Sequence, residues 1–313
     1  MPDDFQQNSK PQSAGARLPT WSERIFLSDG GQLRPIVRGL LFGVGALLLE
    51  ILVGGFVFTY TQHATVWWQL FWVSIATVPP LLLLSVIFVR FLDRQKFSSM
   101  GLSFAQGWFR QLALGAGLGL ALQLLILAIF AATHSVHYSA GTAYNLHFWK
   151  NVALNVGLFF IAATVEELLF RGYAFQRFIE AFGVGGAVAL TSVIFGLAHG
   201  GNPGAQVLSI FNTVLAGVLL ALAYVRTRSM WMQIGLHCSW NFFMVTVVSL
   251  PVSGLSIGPT LFVAQNTGPA WLTGGSYGPE GGIGVTVISL VGIAWLILTR
   301  RLSPSHSLPE DLQ

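Results

Sequence analysis

The chain has 313 residues, of which 53% are apolar and only 9% charged, and its mean hydropathy is +0.66. Soluble domains carry about 25% charged residues, so this composition excludes a soluble enzyme and points to an integral membrane protein. The net charge of +4 is small, with basic residues beside apolar runs, which excludes a nucleic-acid footprint; the single cysteine, Cys238, excludes an intrachain disulfide framework and a multi-cysteine metal cluster.

Residues 1–34 are polar and contain Pro, Gln and Ser. They read as a disordered cytosolic tail, not a signal peptide, because no short apolar stretch with a cleavage site comes first. Eight apolar spans follow, at 39–60, 67–89, 111–131, 152–171, 182–198, 207–225, 230–250 and 282–299. Each is near the roughly 20 residues that a spanning helix needs. The fold class is therefore all-α and multispanning, with about eight transmembrane helices. Pro79-Pro80 predicts a kink in the second span. The third is rich in small residues, which let helices pack closely.

The basic residues set the orientation. Arg17, Arg24, Arg34 and Arg38 precede span one; Arg90, Arg94, Lys96 and Arg110 lie between spans two and three. Arg177 follows span four, Arg226 and Arg228 follow span six, and Arg300 and Arg301 follow span eight. The alternate connections at 61–66, 132–147, 199–206 and 251–281 contain no Lys or Arg, and Lys150 at the edge of span four is a mild exception. Both termini are thus expected in the cytosol, in a multi-pass plasma-membrane protein. The expected organisation is a tail at 1–34, helices one to three at 35–147, a core of helices four to seven at 148–250, an external Gly- and Pro-rich loop at 251–281, and the last helix with a cytosolic tail at 282–313. The loop is expected to fold back over the membrane face. No internal repeat of the kind found in many transporters is visible.

Within the spans the ionisable residues are few: Glu50, Glu166, Glu167, Arg171, His199 and His237, with the amides Asn212 and Asn241. A charge at mid-membrane costs at least about 2.5 kcal/mol, so each needs a reason. Glu167 and Arg171 are four apart, acid first, and can neutralise each other. Glu166 points about 100° away around the helix and needs a partner on another helix. Phe195 and His199 share one face, as do His237 and Asn241. Measured from the basic ends of their spans, Glu166 lies about 15 Å deep, His237 about 10 Å and His199 about 25 Å. The run "HGGNPG" after His199 should end its helix. Glu50 sits alone in span one, and Asn212 reads as packing glue.

Carboxylate, imidazole and amide in a membrane cavity suit activation of water and stabilisation of an oxyanion. There is no GxSxG elbow and no HExxH pair. Two routes stay open. In one, a zinc ion is held by Glu166, His199 and His237. In the other, without metal, Glu166 with His199 takes a proton from water while His237 and Asn241 donate to the oxyanion.

"EELLFR" (Glu166 to Arg171), "FGLAH" (Phe195 to His199) and "HCSWN" (His237 to Asn241) resemble the motifs EExxxR, FxxxH and HxxxN of the CAAX-protease and bacteriocin-processing family of intramembrane endopeptidases, also called the abortive-infection family. "LDRQKFSSMGLS" (Leu92 to Ser103) resembles a loop of its bacterial members. The resemblance covers about residues 148–250 and implies hydrolysis of a peptide bond in a membrane-associated protein or peptide, lipidated in the eukaryotic relatives. It implies a catalytic set of Glu166, Glu167, Arg171, His199, His237 and Asn241, between helices four, five and seven. Glu166 would activate water beside His199, Glu167 and Arg171 would shape the site, and His237 and Asn241 would stabilise the oxyanion. The partners implied are the bilayer and a membrane-bound substrate, with no nucleic acid. A reading from another class is a non-catalytic immunity or partner protein that retains the fold. A third is a proton-coupled transporter using Glu50 and Glu166.

Overall fold

The computed structural model describes residues 25–28, 30–141, 144–258 and 260–302. Most of the expected N-terminal tail, and the C-terminal tail from residue 303, lie outside the described residues. Eight main helices overlap the apolar runs among the described residues: α1 (Pro35–Thr61), α2 (Val66–Ile87), α3 (Trp108–Ala132), α4 (Leu146–Arg171), α5 (Tyr173–Ala198, beginning well before the expected 182), α6 (Val207–Thr227), α7 (Met230–Phe242) and α8 (Ile283–Leu298). α2 and α7 each continue into a π-helical turn, Phe88–Leu92 and Phe243–Val247.

Among the described residues, five segments are long and apolar enough to cross a membrane: α1, α2 with its π turn, α3, the run Leu146–Gly201 that holds both α4 and α5, and α6. α7 and α8, at 13 and 16 residues, are shorter. The chain is thus a multi-pass membrane protein.

Local sequence explains the helix ends. Pro35 opens α1, where its missing N–H costs nothing. The Asn145 side chain accepts the Phe148 N–H to start α4. Gln206 and Ser209 form a reciprocal cap on α6. α2 contains Pro79 and Pro80 and runs through them without a non-helical residue. A non-helical break lies in α5, at Gly183 (φ 71°, ψ 172°), a left-handed φ that suits glycine.

The all-α expectation needs one correction. Strand β1 (Val136–Ala140) pairs antiparallel with β2 (Phe262–Asn266), in register from Val136 opposite Asn266 to Ala140 opposite Phe262. Neither "VHYSA" nor "FVAQN" alternates clearly, and the partners are distant in the chain, so no local pattern announced the sheet. It ties the 132–147 connection to the 251–281 loop.

α3 and α7 pack backbone to backbone. A Cβ on Gly115 would lie 1.9 Å from the Met232 carbonyl oxygen, and one on Gly235 would lie 2.2 Å from that of Leu112. The small-residue stripe in α3 therefore brings in α7, which carries His237 and Asn241.

At the basic end of the bundle, Asp93 gathers α1, α2 and α5. It pairs with Arg38, with Arg177 at 3.3 Å, and accepts the Tyr173 hydroxyl at 3.1 Å. Asp93 is 2% exposed, and removing it leaves Arg38 and Arg177 sharing Glu180, at 3.5 and 2.6 Å. Asp93→Ala should cost about 1.5–3 kcal/mol, the loss usual for hydrogen bonds between charged groups, read as a lower melting temperature of the detergent-solubilised protein. The following loop is then zipped onto α5, α6 and α7. Gln176 donates to the Ser99 carbonyl, the Met230 N–H to that of Gly101, and the Trp231 indole to that of Ser103.

Candidate active site

Glu166, Glu167 and Arg171 lie on the last two turns of α4, His199 just past the end of α5, and His237 and Asn241 on α7. His199 reaches Glu166 because of the Gly183 break. Residues 173–182 are helical and run back along α1: Tyr173 stacks beside Phe42 at 5.2 Å, and Phe178 abuts Gly39, one turn nearer the start of α1. The chain reverses at Gly183, and Glu166 and His199 lie almost equally far from it on either side. The depths measured from sequence differed because the reversal was placed just after span four. It comes a full helical segment later. As "HGGNPG" predicts, α5 stops at Ala198 and His199 opens a single 3-10 turn.

Glu167 is the buried hub. Its side chain and that of Arg171 are 0% exposed and pair at 3.3 Å. The same oxygen, Oε1, lies 2.8 Å from His237 Nδ1. A carboxylate oxygen accepts, so His237 Nδ1 carries a proton. The pairing of Glu167 with Arg171 alone, as spacing suggests, is thus incomplete, since the acid also orients an imidazole. Arg171 donates a second bond to the Gly217 carbonyl at 3.2 Å and lies over the Phe195 ring, 4.4 Å from its centre. Phe195 also packs against His199, with ring centres 4.6 Å apart. The motif phenylalanine is therefore the spacer between arginine and histidine.

Glu166 faces the two imidazoles without an arginine. Its Oε2 lies 4.0 Å from His199 Nε2 and 3.8 Å from His237 Nε2. These gaps are too long for direct hydrogen bonds and suit a bridging water. The His199 Nδ1 lies 2.8 Å from the Phe195 carbonyl oxygen and so carries the proton, leaving Nε2 of the neutral ring as an acceptor toward Glu166.

These groups open into a cavity of about 480 Å³ with largely apolar walls, lined by Glu166, His199, His237 and Asn241 together. Asn241 makes no hydrogen bond among the described residues, so its amide is available there. Glu50, on α1, lines the same cavity. Asn212 is fully engaged: its amide donates to the carbonyls of Glu280 and Gly282 and its oxygen accepts from Thr286, so it fastens α6 to the start of α8.

Sequence reasoning missed Glu280, which was counted in the external loop. Its carboxylate also lines the cavity. The only available signal was that it is the sole acid in 251–281.

The donor chemistry of Glu166, His199 and His237 suits zinc. Yet among the described residues no group of three His, Cys, Asp or Glu side chains is arranged to hold a metal ion. Zinc bonds of about 2.0–2.2 Å would bring neighbouring tetrahedral ligand atoms closer together than the 3.8 and 4.0 Å seen here. The residues as placed do not fit the ion.

The comparisons now bear on this geometry. Residues 147–243 match the family model of Rce1-like type II CAAX prenyl endopeptidases. The match spans α4 to the end of α7 and includes all seven motif residues, Phe195 among them. It agrees with the resemblance read from the three motifs and covers about a third of the chain. α1 to α3, the 251–281 loop and α8 lie outside it. No curated protein and no solved structure matches the chain.

Proposed function

We propose that the chain is an intramembrane endopeptidase that hydrolyses a peptide bond of a membrane-associated, CAAX-like protein or peptide with water activated by Glu166. The reading rests above all on one observation: an acid with no close arginine or lysine ion pair meets the Nε2 atoms of two imidazoles within 4.0 Å, in a cavity. The CAAX-protease family match over the same helices supports it.

A water between Glu166 Oε2 and His199 Nε2 donates one hydrogen to each. Its oxygen attacks the substrate carbonyl carbon as Glu166 takes the proton, and the carbonyl π pair moves onto oxygen. His237 acts as an imidazolium between the two acids: Nδ1–H stays on Glu167 while Nε2–H, with the Asn241 amide, donates a hydrogen bond to that oxyanion. The tetrahedral intermediate then collapses, the C–N bond breaks, and Glu166 returns its proton to the leaving amine. Glu167 and Arg171 keep His237 in register and neutralise each other inside the membrane. Both termini then face the cytosol of a multi-pass protein in the plasma membrane, as the basic residues favour.

The test compares the parent with Glu166→Gln by mass spectrometry of membrane peptides. Uncut substrates should accumulate in the variant; identical peptide profiles would favour the non-catalytic partner protein instead. Asn241→Ala should lower kcat about 10²–10³-fold, the loss usual for one oxyanion donor, with less change in KM; an equal effect on both would assign Asn241 to substrate binding. Exhaustive dialysis against a chelator should leave the rate unchanged. A loss that added zinc restores would overturn the metal-free route.

A further inference from the structure

Glu280 enters the cavity wall from a segment outside the family match, on the 3-10 turn Pro279–Gly281. Its carboxylate is fully used. Oε1 accepts the Trp240 indole N–H at 2.8 Å, and Oε2 accepts the Ser253 backbone N–H at 2.5 Å and its hydroxyl at 2.8 Å. Its backbone carbonyl accepts from Asn212 at 2.8 Å. Trp240 lies between His237 and Asn241 in α7, directly before the asparagine, and 9% of its surface is exposed.

The loop around Glu280 is seated closely. A Cβ on Gly278 would lie 1.9 Å from the Pro251 carbonyl oxygen, and one on Gly254 would lie 2.0 Å from that of Pro203. Asn202, just beyond His199, donates to the Ser253 carbonyl at 3.0 Å. So 199–206, 251–255 and 278–282 form one layer over the end of the cavity away from the basic residues, and Glu280 links that layer to α7. No cation pairs with Glu280 among the described residues. Three donors converge on a carboxylate beside an apolar cavity, and a hydrophobic residue would hold a loop there without the cost of desolvating a charge.

We propose that Glu280 is a positioning residue for the hydrolytic site. By holding the Trp240 indole it sets the turn of α7 that presents His237 and Asn241, and it keeps the overlying loop closed against the cavity. This rests on the endopeptidase reading above, with Trp240 as the intermediary.

The experiment uses the full-length chain, purified and added to membrane vesicles from cells that lack it, and follows new peptide termini by mass spectrometry as vesicle concentration is varied. Glu280→Ala should lower the saturating rate about 10–100-fold, the usual loss for a residue that orients a reacting one, with the half-saturating vesicle concentration little changed. Glu280→Gln keeps an oxygen for the indole and should recover most of the loss. Trp240→Phe should lose as much as Glu280→Ala, and the double variant no more, because one acts through the other. Limited proteolysis of the folded Glu280→Ala protein should also cut more readily within 251–281.

A saturating rate for Glu280→Ala equal to the parent's, or multiplying losses in the double variant, would overturn the positioning role and leave the endopeptidase reading intact. A fall in melting temperature without a change in the rate of the folded fraction would reduce Glu280 to a structural fastener. A parent that makes no new termini, or a Glu166→Gln protein as active as the parent, would overturn both readings together.

Discussion

Glu166→Gln should lower hydrolysis roughly 10²–10⁴-fold while leaving the fold intact. The substitution conserves shape but removes the lone pair that takes a proton from water. Little structure depends on that charge. Glu166 forms no ion pair within 4.0 Å with an arginine or lysine among the described residues, and its two imidazole neighbours lie 3.8 and 4.0 Å away. Melting temperature and membrane insertion should therefore match the parent. The appearance of new peptide termini in membrane vesicles measures the activity, and circular dichroism of the detergent-solubilised protein measures the fold. Retained cleavage would remove Glu166 from the chemistry. A collapse of the fold would show that the acid serves packing after all.

Arg171→Met should produce the opposite pattern, a large loss of stability. Glu167 would remain with 0% exposure and without its guanidinium, between helices where water cannot reach it. Removing one partner of a buried pair costs about 3–5 kcal/mol. Met is close to Arg in length, so the effect isolates the charge and its two hydrogen bonds more than packing volume. Thermal unfolding in detergent should show a clear drop. The double variant Glu167→Gln with Arg171→Met should regain much of that stability, because no buried charge is left unpaired. It should stay slow in hydrolysis, since the His237 Nδ1–H then faces a neutral amide instead of the carboxylate 2.8 Å away. Stability and rate would thus separate, which a purely structural role for the pair does not predict. Full recovery of both would assign Glu167 and Arg171 to folding alone.

Much of this molecule could be read from periodicity and composition. The positions of α1 to α8 follow from apolar runs interrupted by Pro, Gly and basic residues, and these are local properties. The three motifs also lie within single helices, so spacing alone put Glu167 beside Arg171 and Phe195 on the face of His199. The close approach of α3 to α7 was foreshadowed by the small residues of α3, though not its partner. Asn212 was read as packing glue, and its three hydrogen bonds to Glu280, Gly282 and Thr286 agree with that.

Other features were not legible because they depend on contacts between distant parts of the chain. The β1–β2 pair joins two connections that have no strand pattern of their own. Residues 173–182 contain Arg177 and looked like a basic loop, yet they form a helix whose arginine is 3% exposed and paired with Asp93 and Glu180. Glu280 lay unremarked in the stretch read as an external loop, because nothing in its neighbours reveals that Trp240 and Ser253 will meet it.

By itself the sequence determined that this is a helical membrane protein, where its helices run, and which few polar side chains the bilayer would force to find partners. That follows from the cost of exposing backbone and charge to lipid, which acts on every span separately. The tertiary structure alone decided which partners those side chains have: the turn at Gly183 that returns His199 to the level of Glu166, the carboxylate shared between Arg171 and His237, and the loop that brings Glu280 to Trp240. Those meetings depend on backbone direction and packing over long separations, and no short stretch of the chain carries that information.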